Sequence, residues 1–214
     1  DYLDQLIRDN GKVFSWFDDA TLLISAHPTS TRDYDFLFVV GVSKKAKKSV
    51  LLPGLKQVLK SLDYITSDSE IDGERVLKAT DNANETLYFA HINNQLICSF
   101  SKAILTLSIQ TASQNNALND QQSFKSTYTS VATQGLCRLY LPYQRIENLL
   151  KCYFDTGVSD VTNVTNQLVS SSFDFAASSD YWQLDGFTAI DSSNSSYIKA
   201  FTQSGESSSE VGRV

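Results

Sequence analysis

The chain reads as an α+β protein: antiparallel sheet with a four-strand meander over about 64–100, and helices packed on the sheet. Three observations predict this. Asp72-Gly73 and Asn93-Asn94 each stand between short runs rich in strand-forming residues, and both dipeptides suit two-residue hairpin turns. Leu55, Val58, Leu59 and Leu62 recur at helical spacing just before the meander. Just after it, Ser101 precedes KAILTLSIQTA, where Ile104, Leu105, Ile109 and Ala112 share one helical face.

Taken in order, ATLLISAH (20–27) is short, apolar and β-branched, and predicts a strand. Pro28 to Arg32 is a loop, and YDFLFVVGV (34–42) is a second strand, apolar enough to be buried on both faces. Residues 44–62 have helical period. Proline suits a helix start better than its middle, so Pro53-Gly54 sets the expected start of the firm helix. YITSDSEI, ERVLKAT, ETLYFAHI and QLICSF are the meander strands, and the Ser101 helix closes that half. Residues 113–123, SQNNALNDQQS, are the most polar stretch and the best internal boundary. A weaker helix is expected at 121–132, a strand at GLCRLYL, an amphipathic helix at 143–154 and a polar loop at 155–167.

The last unit turns on Asp185-Gly186. As a hairpin turn, this dipeptide would leave arms of about four residues and strand SSFDFAA without a partner. A turn at Ala177–Asp180 gives two full arms instead. The reading is therefore a strand over 181–190, paired antiparallel with 171–177, with Gly186 inside it at a bulge or a close backbone approach. A helix should follow from Ser192–Ser195, with Tyr197, Ile198 and Phe201 inward. The order strand, Asp-Tyr, glycine-containing strand and helix also occurs at 20–62, through Asp33-Tyr34 and Gly41. This is a weak internal strand-strand-helix repeat.

The 214 residues suffice for one domain, or for two lobes at about 1–114 and 120–214 that share a core. A net charge of −6 and an acidic pI near 4.9 argue against nucleic acid as a partner, since phosphate binding needs a basic surface. The one basic run, Lys44, Lys45, Lys47 and Lys48, reads as a solvated face. No apolar run approaches the roughly 18 residues of a membrane span. Cys98, Cys137 and Cys152 sit among apolar neighbours and are expected to be buried free thiols. The abundant polar, uncharged residues hint at work outside the cytoplasm. The chain opens inside an amphipathic pattern and ends in a polar tail, as a segment of a longer protein would.

Motifs with chemistry are few. Ser99-Phe-Ser-Lys102 and Ser196 to Lys199 match S-x-x-K, without the K-T-G or S-D-N that accompany it in penicillin-binding enzymes. Asp68, Glu70, Asp72 and Gly73 resemble the first half of a calcium loop, but its twelfth position is Ala79 where a glutamate is required. His27 and His91 lack metal-binding spacing and read as structural. Asp18, Asp19, Glu70 and Asp72 are the carboxylates left for acid–base work. Asn84, Asn163 and Asn194 lie in N-x-[ST] triplets at near-chance frequency. Trp16, Phe17, Tyr140, Tyr143, Tyr181 and Trp182 lie by loops or strand ends, where they either anchor the core or form a recognition surface. No catalytic, metal or cofactor set is assigned.

INNQLICSFS and LDGFTAIDSSNSSYIKAFTQS, with the order of elements around them, resemble large Bacteroidetes envelope proteins similar to the DUF3352-like prokaryotic domains. The resemblance implies export, often a lipid anchor, and that this chain is the N-terminal portion of a longer protein with a propeller-like C-terminal half. The expectation is a non-catalytic binding or scaffolding module of an exported bacterial envelope protein, extracytoplasmic, with a protein or glycan ligand. The alternative is a hydrolase acting on envelope polymers.

Overall fold

The computed structural model describes residues 5, 8–17, 21–30, 33–43, 48–114, 118–131, 135–151, 167–177, 179 and 181–190. The chain divides into two compact units, Asp1–Ala117 and Leu118–Val214.

The first unit opens with the short helix α1 (Gly11–Phe14) and a 3-10 turn at Ser15–Phe17. Then come β1 (Leu22–Pro28), β2 (Tyr34–Gly41), α2 (Lys48–Ser61), β3 (Ile65–Ile71), β4 (Glu74–Thr80), β5 (Thr86–Ile92), β6 (Gln95–Ser99) and α3 (Lys102–Ser113). The strands form one six-stranded antiparallel sheet in the order β1-β2-β6-β5-β4-β3. The expected meander is present, and both turns have the backbone their residues allow. Asp72 and Gly73 have φ of 50° and 78°, and Asn93 and Asn94 have 50° and 60°. Positive φ at both central residues makes each a type I′ turn, whose twist matches that of the flanking strands.

Each helix covers one face of this sheet. On one side α1, the 3-10 turn and α2 bring Val13, Trp16, Leu51 and Leu52 against Leu77 and Phe89. On the other, α3 buries Ile104, Leu105 and Ile109 against Val76, Ala90 and Ile97. Ser101 caps α3, its side chain accepting from Ile104 N–H. α2 begins before Pro53, not at it. The proline ring points outward and forfeits one helical bond, whereas Leu51 and Leu52 in the preceding turn are wholly buried, and their burial outweighs that loss. β2 is only half-buried, against the expectation of burial on both faces. Its neighbour β1 is the sheet edge, where Leu22, Leu23 and Ile24 are exposed; α3 reaches only the Leu37 side of β2.

In the second unit α4 (Gln122–Tyr128), β7 (Cys137–Pro142), α5 (Tyr143–Lys151), β8 (Leu168–Ala177) and β9 (Trp182–Ile190) follow a 3-10 turn at Leu118–Asp120. β7, β8 and β9 make a three-stranded antiparallel sheet with β8 in the middle. Asp185-Gly186 is not a turn. Gly186 lies inside β9, opposite Phe173, and a Cβ there would stand 2.4 Å from the Phe173 ring. The ring lies over the glycine and takes the space of the missing side chain. The one register irregularity is at Leu168/Ser170, away from Gly186. The helix expected after Ser192, the loop at 155–166 and the run Lys44–Lys47 fall outside the residues described.

Candidate interaction surface

The motifs suggestive of catalysis are taken up by structure. Ser99 is fully buried; its hydroxyl donates to Phe36 C=O at 2.8 Å and accepts from Ser101 N–H at 3.1 Å. It ties the end of β6 to β2 and to the start of α3, so it is not an exposed nucleophile beside Lys102. Ser196 and Lys199 lie outside the residues described.

The calcium-like run is split between a strand and a turn. Asp68 on β3 receives Lys56 on one carboxylate oxygen and Arg75 on the other. These hydrogen bonds hold its carboxyl below the usual carboxylate range. Asp72 occupies the hairpin turn and accepts from Gln110 of α3 at 2.8 Å. No cluster of metal-binding side chains occurs among the described residues. His27 on edge strand β1 and His91 on β5 are separated by β2 and β6, so they share no site. His27 sits with its Nε2 2.8 Å from Ser25 Oγ, and His91 is buried. Asp18 and Asp19 lie outside the described residues. Asn84 stands exposed in the β4–β5 turn with φ of 66°, and Asn163 and Asn194 are not described.

The expectation that the cysteines are buried needs correcting. Cys98 and Cys137 are free, but Cys98 is half-buried and Cys137 exposed. Cys137 is the first residue of β7 and pairs with Phe175 at the open end of the second sheet. Burial pushes the Cys98 thiol up to about 11. Cys152 lies outside the described residues.

The aromatic residues divide cleanly. Trp16 is core, held in the α2 cluster with Phe17 packed beside it. Tyr140 packs edge-on to Phe124, which stacks on Tyr128, and Tyr143 shares a hydrogen bond with Ser171. Tyr181 and Trp182 are different: they are 61% and 77% exposed.

Cross-strand pairing shows what surrounds Trp182. Ala177 faces Trp182, Phe175 faces Leu184 and Phe173 faces Gly186, so these residues share one face of the sheet with Leu139 and Cys137 of β7. α5 lies over the far end of that face, where Tyr143, Ser171 and Thr188 are linked through their hydroxyls. Toward Trp182 the face is open, with Leu184 and Leu139 exposed. On the opposite face α4 packs over β8, while Gln183, Asp185 and Phe187 of β9 stay exposed. There Arg138 lies 4.3 Å above the Tyr128 ring, donates to the Tyr128 and Val131 carbonyls, and pairs with buried Asp174. The sequence pointed to Tyr181 and Trp182 but not to Leu139 and Leu184. Their common signal is strand parity across β7–β9, which requires the register.

A three-layer α+β unit is followed by a smaller sheet unit that carries an apolar surface, and no catalytic set is assembled among the described residues. The chain belongs to the family described as protein of unknown function (DUF3352), whose sequence model matches residues 6–185. No curated protein and no solved structure matches it.

Proposed function

We propose that the chain is a non-catalytic binding or scaffolding module of an exported bacterial envelope protein. Its docking surface is the open end of the β7-β8-β9 face, and its ligand is another envelope protein. Trp182 carries the reading: a tryptophan 77% exposed on a strand, beside exposed Leu184. Solvated tryptophan is uncommon, and large aromatics flanked by aliphatics are typical anchors of protein interfaces. The aliphatic neighbours favour a protein over a glycan, which would stack on bare aromatic rings. The extracytoplasmic setting is supported by the polar, weakly charged composition.

Trp182 also supplies the test. The chain has two tryptophans, and the other, Trp16, is buried. Red-shifted emission therefore reports Trp182. Purified envelope protein fractions should move that emission to the blue, and Leu184→Asp should abolish the shift. Soluble peptidoglycan fragments should leave it unchanged. A shift with the glycan fragments alone would replace the protein ligand by a glycan. Release of soluble sugar or peptide from peptidoglycan by the purified chain would instead establish the hydrolase.

A further inference from the structure

We infer that β1 is a pairing edge through which two copies of this chain join their six-stranded sheets antiparallel, about a two-fold axis at Ile24. The inference concerns the first unit and does not depend on the Trp182 surface.

The two edges of the six-stranded sheet are unlike. β3 is guarded in the way soluble sheets usually are: it carries Asp68 and Glu70, and Lys56 and Arg75 gather around Asp68. β1, with the sequence LLISAHP, carries no Asp, Glu, Lys or Arg. Leu22, Leu23 and Ile24 are each at least half exposed there, and Phe36 beside them on β2 is exposed as well. A long, uncharged, apolar edge is a template for another strand. Two copies of an acidic chain repel each other at most surfaces, and an edge without charge is where they approach at least cost.

The register determines what β1 offers. Gly41 N–H reaches Thr21 C=O, and Thr29 N–H reaches Asp33 C=O. The odd-numbered residues of β1 therefore bond to β2, and by the period of two Leu22, Ile24 and Ala26 turn their N–H and C=O groups outward. Among the described residues no strand pairs with that edge. Pro28, next in the outward row, has no N–H and ends it.

An antiparallel second copy centred on Ile24 satisfies this edge completely. Leu22 stands opposite Ala26 of the other copy, Ile24 opposite Ile24, and Ala26 opposite Leu22, so every outward N–H meets an outward C=O. A shift of two residues one way would set Leu22 against Pro28 and lose a donor, and the other way would carry Ala26 past Leu22, the first residue of β1. The contact is isologous and closes after two copies. Leu22, Ile24 and Ala26 all lie on one face with Tyr34, Phe36 and Phe38, so the same pairing joins the two uncovered apolar patches. One strand edge with its flanking side chains gives an interface near the lower bound of about 1,000 Å² for specific association. The dimer is accordingly weak, concentration-dependent and of micromolar order.

Sedimentation of the 214-residue chain across micromolar concentrations should show monomer passing to dimer. Ile24→Lys places two like charges at the axis and should weaken association about tenfold or more. Ile65→Lys on the β3 edge should leave it unchanged. Cysteine cross-linking in a Cys137→Ser background reads the register. Ile24→Cys puts the paired Cα atoms about 5.5 Å apart, within disulfide reach. Leu22→Cys puts its two copies about 13 Å apart along the strands, out of reach. A chain that stays monomeric, a dimer indifferent to Ile24→Lys, or equal cross-linking at 22 and 24 would overturn the inference. A dimer lost with Leu184→Asp instead would place the contact on β9 and overturn it too.

Discussion

Gly186 and Phe173 show how a single missing Cβ fixes a local arrangement. The ring occupies the position where a side chain at 186 would begin, with a Cβ-to-ring distance of 2.4 Å. Gly186→Val should cost about 1–3 kcal/mol, the usual range for overpacking. Phe173→Ala in the valine background should recover part of that, because it removes the atom the valine strikes. Urea unfolding of the four members of that cycle measures the coupling, and strict additivity of the two changes would contradict the contact. Asp68 gives a pH-dependent counterpart. Its carboxyl is lowered from 3.8 in the folded chain, so its ion pairs stabilise the fold fully above pH 3.8. That contribution disappears as the pH falls below 3.8 through the folded value. The site is exposed, so Asp68→Asn should cost less than about 1 kcal/mol at neutral pH and nothing in acid. Thermal melts of both proteins across that range check the convergence. The thiols differ in exposure. With Cys98 pushed to about 11, only about a thousandth of it is thiolate at pH 8, so a native-state thiol reagent should label exposed Cys137 far sooner.

Among the elements, the β3–β4 hairpin was fully legible in the sequence, because Asp72-Gly73 states its own backbone chemistry. Gly73, with φ of 78°, has open space around it, so a larger residue there meets strain from conformation and not from collision. Gly73→Val should cost about 1–2 kcal/mol, and Gly73→Asn much less, since asparagine tolerates the left-handed region. Equal midpoints for the two variants in urea would contradict the I′ geometry. α3 was legible for a similar reason: Ser101 supplies the cap, and the buried stripe follows in register. α2 was misread at its start because Pro53 is a strong local signal, while the burial of Leu51 and Leu52 is a tertiary fact. β2 was misread for the converse reason. Its apolar run implied two covered faces, but whether a helix reaches a strand depends on the strand's place in the sheet. The surface around Trp182 was half legible: local sequence marks an aromatic at a strand end, but only the β7–β9 register collects Leu139 and Leu184 beside it.

At the scale of the whole molecule, the division at 117/118 sets apart two units whose described interiors differ. The first has a six-stranded sheet with a helix layer on either face, and two clusters of buried residues built from its own elements. Val76, Leu77, Ala79, Ala90 and Leu105 are wholly buried within it. Four of its five strand pairings join neighbours in sequence, and only β2–β6 is long-range, so the sheet is assembled from within the unit. The second unit has a three-stranded sheet in which the fully buried positions of the central strand are Ser170, Ser171 and Ser172, bonded to Thr127, Tyr143 and Thr188 where partners are seen. Buried hydroxyls contribute less than buried leucines, so these three positions of β8 add less stability than the apolar positions of β4 and β5. The fragment 1–117 is therefore expected to fold alone and unfold cooperatively, whereas 118–214 alone should be the less stable of the two. Circular dichroism and amide-resolved NMR of the separate fragments check this. A dispersed spectrum for 1–117 whose β4 and β5 amides exchange as slowly as in the full chain would support an autonomous first unit. A collapsed, undispersed spectrum would show that its two helix layers are not sufficient, and that the clusters around Leu77 and Leu105 need the rest of the chain to form.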